Sequence, residues 1–218
     1  MTPPEAKKSP RRKVGRKKSR DSAAWSIAKK EQHRLKREAI LRVASRLINR
    51  KGYAGMSLAD IADELEIRNA SLYYYFDSKE EIVFASFQRA QRIVNESLEF
   101  VEKSRCSGLE AIELYVVTIR NRIAKDGELP IAENVWSLKR ANMKVIALAE
   151  VDHVERVARL IQRGIDDKSI RPCNVPLMTR MLFSALRAVP GHYLGVRREM
   201  WAELDKEVLI AIRRFLSA

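Results

Sequence analysis

Residues 57–76 carry two apolar stripes, each about two helical turns long, on either side of a three-residue turn. Leu58, Ile61, Ala62 and Leu65 recur at three- and four-residue spacing. Ser57 precedes them, with Asp60 three residues on, which is the pattern of an N-cap with an acid at the third position. A helix is therefore predicted over 57–64. Glu66-Ile67-Arg68 forms the turn, and a further helix is predicted over 69–75, with Ala70, Leu72, Tyr73 and Phe76 turned inward. Helices this short do not stand alone in water, so both must be held by longer neighbours. Ile40, Leu41, Ala44, Leu47 and Ile48 supply one over 33–50, stopped by Gly52 after Arg50-Lys51. Ser78-Lys79-Glu80-Glu81 is a capping box that opens another over 78–104.

Three helices so arranged have a physical logic. The first supplies most of the core, the second crosses a DNA backbone, and the third enters the major groove with its N-terminal residues on base edges. The expected core is Ile40, Ala44, Leu47, Leu58, Ile61, Ala62, Ile67, Leu72 and Phe76. That leaves Arg68, Asn69, Ser71, Tyr74 and Tyr75 outward. Arg grips guanine and Asn grips adenine with two bonds each. Ser and Tyr hydroxyls suit phosphates or base edges, and Lys79 suits a phosphate. Successive helical residues lie about 100° apart, so Tyr73, Tyr74 and Tyr75 cannot all face inward. The Tyr73 ring is expected to pack, with its hydroxyl still able to reach a phosphate.

The strings Ser57-Leu58-Ala59-Asp60-Ile61-Ala62 and Ser71-Leu72-Tyr73-Tyr74-Tyr75-Phe76-Asp77-Ser78-Lys79-Glu80-Glu81 resemble the DNA-binding signature of the tetracycline-repressor (TetR) family. The resemblance covers about residues 33–90. It implies a homodimer with one helix-turn-helix per subunit, and a larger C-terminal domain that binds a small effector and dimerises through its last two long helices. Effector binding would change the separation of the two reading heads and release DNA. Carried onto matching positions, the implied DNA contacts are Ser57, Arg68, Asn69, Ala70, Ser71, Tyr73, Tyr74, Tyr75 and Lys79. The chain departs from the family pattern at Glu66, where glycine is usual, at Arg68, where a small residue is usual, and mildly at Ala70. These departures bear on the operator sequence and leave the fold untouched.

Beyond Gly108 the pattern is helical throughout. Helices are expected near 109–125, 129–137, 138–166, 175–189 and 197–216, with breaks at Asp126-Gly127, around Pro172 and at Pro190-Gly191. The fold class expected is all-α, about nine helices, with a basic disordered arm over 1–32, a helix-turn-helix domain over 33–78 and a helical ligand-binding and dimerisation domain over 79–218. Met178, Ala185, Trp201, Leu204, Val208 and Ile212 lie on the apolar stripes of the last two helices. Those stripes are expected either to pack within the chain or to meet a second copy in a four-helix arrangement. An effector pocket would be apolar with few polar groups, and Tyr115, Ile119, Trp136, Met143, Met181, Phe183 and Tyr193 are its candidates. Leu182-Phe183-Ser184-Ala185-Leu186, with His192-Tyr193 after it, faintly resembles TetR-type regulators of lipid or steroid catabolism, which implies an acyl or acyl-CoA effector.

Charge supports a polyanionic partner. Residues 1–50 hold 17 Lys/Arg against 4 Asp/Glu, while the remaining 168 hold 25 against 24. The net charge of +14 thus sits almost wholly at the N-terminal end. Such an arm either follows a DNA groove, with a steep salt dependence, or is a solubilising tail. Cys106 and Cys173 read as free thiols, and His33, His153 and His192 show no metal spacing. No nucleophile or acid–base set is present, so neither an enzyme nor a cofactor is expected. No apolar run is long enough to span a bilayer and no secretory signal is present, which places the chain in the bacterial cytosol at the nucleoid, away from membranes. The expected partners are double-stranded operator DNA, a small-molecule effector and a second copy. Two other readings stay open: a small-molecule binding or interaction protein with an idle DNA-binding head, and a non-specific DNA binder that relies on its arm.

Overall fold

A computed structural model describes residues 15–130, 138–192 and 201–217, and all eight elements among them are helices. They are α1 (Gly15–Gly55), α2 (Leu58–Glu64), α3 (Asn69–Leu72), α4 (Lys79–Glu102), α5 (Gly108–Asp126), α6 (Arg140–Asp166), α7 (Val175–His192) and α8 (Trp201–Leu216). Two compact units divide the chain, Met1–Glu38 and Ala39–Ala218.

In the first unit the helix starts at Gly15, well before the expected 33, so residues 15–32 are not the structureless arm that their charge implied. After Gly15 the segment holds no glycine or proline and is rich in Ala, Lys and Arg, so propensity favours a helix. Arg34 adds bonds to Glu31 one turn away, at 2.6 and 2.9 Å. Its Trp25 and Ile27 are exposed.

The second unit has two apolar cores. The first joins Ile40, Ala44, Leu47 and Ile48 of α1 to Met56, Ile61, Ala62, Leu72 and Phe76, and is closed by Ile82, Val83 and Phe87 of α4 and by Leu138 and Ile146. Gly52, at φ 68°, interrupts α1 where the stop was expected. The second core joins Leu98 and Val101 of α4 to Ile112 and Val116 of α5, Val157 and Ile161 of α6, Leu182 of α7, and Ile212 and Leu216 of α8. One helix, α4, therefore contributes to both. The serines buried on α1 and α4 satisfy themselves by donating to carbonyls one turn back, as Ser86 does to Ile82 at 2.8 Å.

The caps expected at Ser57 and Ser78 are present. Ser57 opens α2 with a reciprocal capping box. At α4, Ser78 Oγ accepts from Glu81 N while the Glu81 carboxylate accepts from Asp77 N. Ser107, which the sequence reading did not single out, opens α5 with a second capping box. The helix α6 has no cap of its own. Glu80 of α4 supplies one, accepting from Lys139 N at 2.9 Å and Asn142 Nδ2 at 3.0 Å. Residues 128–130 are not helical, and the rest of the expected 129–137 helix lies outside the described residues. The helix α7 (Val175–His192) includes Pro190-Gly191, where a break was expected.

Two expected interface residues belong to the core instead. Met178 and Ile212 are buried against α5 and α6, and Val208 packs partly on the same cluster. The stripe they define is thus covered by the chain's own helices. Ala185 is exposed, together with Leu177 and Met181, on the other side of α7. Of the side chains of Trp201 and Leu204, as of Trp136 and Tyr193 as a whole, nothing falls within the described residues.

Candidate nucleic-acid interface and cavity

The two short helices meet at a turn whose bonding is complete. Ile67 N donates to Ala62 O at 2.9 Å and Glu66 N to Asp63 O at 3.1 Å, which places Glu66 at φ 53°. This is the helix-ending arrangement in which glycine is the usual left-handed residue. The chain reverses so sharply that Ile67, an expected core residue, ends 37% exposed. Arg68 then caps α3 with extended backbone and no side-chain bond, and Ser71 N returns to Arg68 O at 2.8 Å.

Arg68, Asn69, Ala70 and Ser71 are all exposed on this first turn, Ala70 included, although its helical position had placed it inward. The helix is shorter than expected and ends at Leu72. From there the 100° rule no longer sets direction. Tyr75 N and Phe76 N both donate to Leu72 O, which folds Tyr75 and Phe76 towards the core. The inward tyrosine is therefore Tyr75, and Tyr73, expected to pack, is 54% exposed. Tyr74 is 66% exposed and meets Tyr75 edge-on, with ring centroids 5.0 Å apart. Two exposed aromatic rings beside an exposed Arg-Asn-Ala-Ser turn form a surface suited to bases and sugars more than to water.

Ser57 and Lys79, the remaining expected contacts, stand before and after that segment in the sequence. Ser57 is engaged with Asp60, whose carboxylate accepts from Ser57 N at 2.7 Å and from Lys51 Nζ at 2.6 Å. The Lys51 ammonium first, then the Ser57 hydroxyl and amide, hold the Asp60 carboxyl down to about 2. Lys79 Nζ sits 4.4 Å from the centroid of the Tyr53 ring, within cation–π range.

A cavity of about 220 Å³ opens among α4, α5, α6 and α7. Its apolar walls are Phe87 and Val94 of α4, Tyr115, Val116, Ile119 and Ile123 of α5, Ile146 of α6 and Phe183 of α7. Tyr115, Ile119 and Phe183 are thus brought together. Met143 instead packs against the first core, and Met181 is 46% exposed, since α7 turns Met178 and Leu182 inward.

The cavity's polar lining is Gln91, Arg120, Glu128, Glu150 and His153; the sequence had offered Arg120 as a contact for an anionic ligand, and sequence reasoning missed the other four. One signal was available. Gln91 interrupts the α4 stripe between Phe87 and Val94, at four- and three-residue spacing. His153 Nε2 lies 3.1 Å from Asn95 Oδ1, which also accepts from Arg156 Nη1 at 3.1 Å. Arg156 in turn makes a two-pronged pair with Glu102 at 2.7 and 2.8 Å. Burial pushes the His153 imidazole below its ordinary value, against the opposing Asp152 charge and with a smaller contribution from the Arg156 charge.

The cavity touches the first core directly. Phe87 and Ile146 belong to both. Glu128, Leu129 and Pro130 line it from the segment after α5, and Asn49 of α1 donates to Glu128 Oε2 at 3.2 Å and Leu129 O at 2.9 Å. Arg89 Nη2 also donates to Asp126 O. Among the described residues no helix is long and apolar enough to cross a membrane, and no group of three His, Cys, Asp or Glu is placed to hold a metal ion.

The profile of the bacterial regulatory proteins of the tetR family matches residues 40–85, the helix-turn-helix and its two supporting helices. Over residues 40–85 the chain carries the segment that defines the tetR family's DNA-binding head. Over 46 residues it is 46% identical to the biofilm operon icaADBC HTH-type negative transcriptional regulator IcaR of Staphylococcus epidermidis, 21% of this chain and 25% of that one. The chain spans about a quarter of the length of the curated relatives it matches. Solved structures extend the likeness of fold. The ketosteroid transcriptional regulator KstR2 of Mycobacterium tuberculosis superposes with a TM-score of 0.71 at 18% identity, over 84% of this chain and 95% of that one. AibR in complex with isovaleryl coenzyme A and operator DNA superposes with a TM-score of 0.65 at 19% identity, over 83% and 97%. The likeness of fold to these regulators therefore extends beyond the matched head into the helical remainder.

Proposed function

We propose that this chain is a ligand-responsive transcriptional regulator that binds a palindromic operator as a homodimer, acts as a repressor, and is released by a small apolar or acyl-type effector. The observation that carries the reading is the exposed face of the head: Arg68, Asn69, Ala70 and Ser71 on one turn, with the Tyr73 and Tyr74 rings beside them. Arg68 and Asn69 read bases, the tyrosines and Ser71 contact bases or backbone, and Ser57 and Lys79 hold phosphates. The name of IcaR supports repression, and that of AibR supports an acyl-CoA effector alongside DNA.

The domain division that goes with this reading is a head over 33–78 and a ligand-binding and dimerising part over 79–218. Occupation of the cavity displaces walls shared with the head's core, Phe87 and Ile146, and the segment latched to Asn49. That is a route by which a ligand changes the pose of the reading face. Burial of Met178 and Ile212 moves the dimer face to the exposed side of α7, at Leu177, Met181 and Ala185, with Ile210 of α8. The basic N-terminal segment adds sequence-independent affinity.

Gel shift against the DNA upstream of the protein's own gene tests the reading. Selective binding is expected, and Tyr74→Ala should weaken it by about 1–3 kcal/mol, with a smaller loss for Lys79→Ala. Wild-type affinity in both variants places the wrong surface on DNA. Size-exclusion chromatography of Met181→Glu should give monomers, and an unchanged dimer refutes the α7 face.

A further inference from the structure

His153 lines the cavity, and its neighbours on α4 and α6 fix where its proton sits. The constraint starts at Arg156. A guanidinium only donates, so the Asn95 atom 3.1 Å from Arg156 Nη1 is the amide oxygen. That oxygen only accepts, so His153 Nε2, 3.1 Å from it, donates and carries a proton. Arg156 is itself held in place by its two-pronged pair with Glu102 at 2.7 and 2.8 Å. Burial holds the imidazole below its ordinary value, so at neutral pH that proton is the only one on the ring. Nδ1 is then a bare lone pair, an acceptor, and among the described residues no hydrogen bond reaches it. Of the other polar wall residues, Tyr115, Arg120 and Glu150 are each engaged within the protein, and Glu128 accepts from Asn49. A ligand hydroxyl can donate to Nδ1. An ether or ketone oxygen would set acceptor against acceptor, which a site that excludes water penalises.

We infer that His153 Nδ1 is the hydrogen-bond acceptor of this cavity, and that the cavity selects an apolar compound bearing a hydroxyl donor over the ether or ketone of matching skeleton. Asn95 is a positioning residue that acts through the tautomer it fixes. This rests on the reading of the cavity as an effector site, yet it concerns binding alone and is measured without DNA.

Two measurements on the full chain at neutral pH test it. The first needs no ligand. Nitrogen NMR of histidine-labelled protein should show His153 with its proton on Nε2, its signals identified by their loss in His153→Phe. The Nδ1–H form, or a doubly protonated ring, overturns the inference. The second is isothermal titration with decanol against decyl methyl ether and methyl octyl ketone, and with phenylethanol against its methyl ether. At least one alcohol should bind about tenfold more tightly than its matched compounds. His153→Phe should remove that preference. Asn95→Leu, which frees the proton to sit on either ring nitrogen, should narrow it with the helical circular dichroism intact. Ethers and ketone that bind as tightly as both alcohols overturn the inference, and so does an undiminished preference in a folded His153→Phe or Asn95→Leu chain. Failure of every compound to bind overturns it as well, and leaves DNA binding by the head untouched. Failure of the operator gel shift alongside a clear alcohol preference removes the regulatory reading alone.

Discussion

Glu66 is the residue at which the head works against itself, and replacing it separates two effects. It occupies the left-handed position of the turn at φ 53°, fixed by the bonds from Ile67 N to Ala62 O and from Glu66 N to Asp63 O. A residue with a Cβ pays about 1–2 kcal/mol in that conformation, and glycine does not. Glycine gives back about 0.5–1 kcal/mol because it frees the unfolded chain. Glu66→Gly should therefore stabilise by about 1 kcal/mol, a rise in Tm of about 2–4 °C for a chain of this size. Glu66 is also exposed and two residues ahead of Arg68, so its loss removes a negative charge beside the proposed DNA face. Operator affinity should rise, more at low salt than at high. Glu66→Ala removes the same charge but keeps the Cβ, so it should tighten DNA binding without raising Tm. Thermal melts followed by circular dichroism and operator titrations by fluorescence anisotropy at two salt concentrations give both readouts. If Glu66→Ala raises Tm as far as Glu66→Gly does, the gain comes from charge and the strain argument fails. If Glu66→Gly leaves Tm unchanged, the left-handed turn carries no cost.

Further perturbations probe the cores, the latch and the buried histidine. A Cβ on Gly108 would lie 2.1 Å from Gly164 N, and one on Gly164 would lie 2.4 Å from Ile170 Cδ1. Each glycine-to-alanine change should thus destabilise by about 1–3 kcal/mol although propensity favours alanine, and a raised denaturation midpoint refutes the close approach. Asn49→Ala cuts the bonds to Glu128 and Leu129, so operator affinity without ligand should stay near wild type while the ligand's effect on it shrinks; an unaltered ligand response means that coupling runs elsewhere. His153 is held below its ordinary 6.5 by burial, so below that value the unfolded chain binds the proton more readily than the folded one. Its contribution is complete above pH 6.5 and is lost as pH falls through 6.5 towards the lower folded value. Urea titrations across that window should show a slope that His153→Gln flattens, and equal slopes in both chains refute the assignment.

What was legible in the sequence follows the distance over which each decision is made. The caps at Ser57 and Ser78 join partners three residues apart, and the head's core follows apolar spacing along single helices, so both could be read directly. The tyrosine directions turned on where α3 stops. Ending it at Leu72 instead of residue 75 exchanged the roles of Tyr73 and Tyr75, because one lost turn changes the direction of every later side chain. The C-terminal stripes were visible, but a stripe does not say what covers it. The two sides of α7 are both apolar, Met178 and Leu182 on one and Leu177 and Met181 on the other, and only the packing of α5 and α6 decides which is buried.

The cavity was the least legible feature because it is a gap among four helices, and a sequence specifies residues without specifying the space between them. Its connection to the head is more distant still, since Asn49 and Glu128 are 79 residues apart and neither stands out in its own segment. Yet that connection gives the departures in the head a common consequence. A turn strained at Glu66 has less stability in reserve than a glycine turn, so a smaller displacement at Phe87, Ile146 or the Asn49 latch is enough to disturb the reading face. Relief of that strain by Glu66→Gly should therefore do more than raise Tm: it should also require more bound ligand to release the operator.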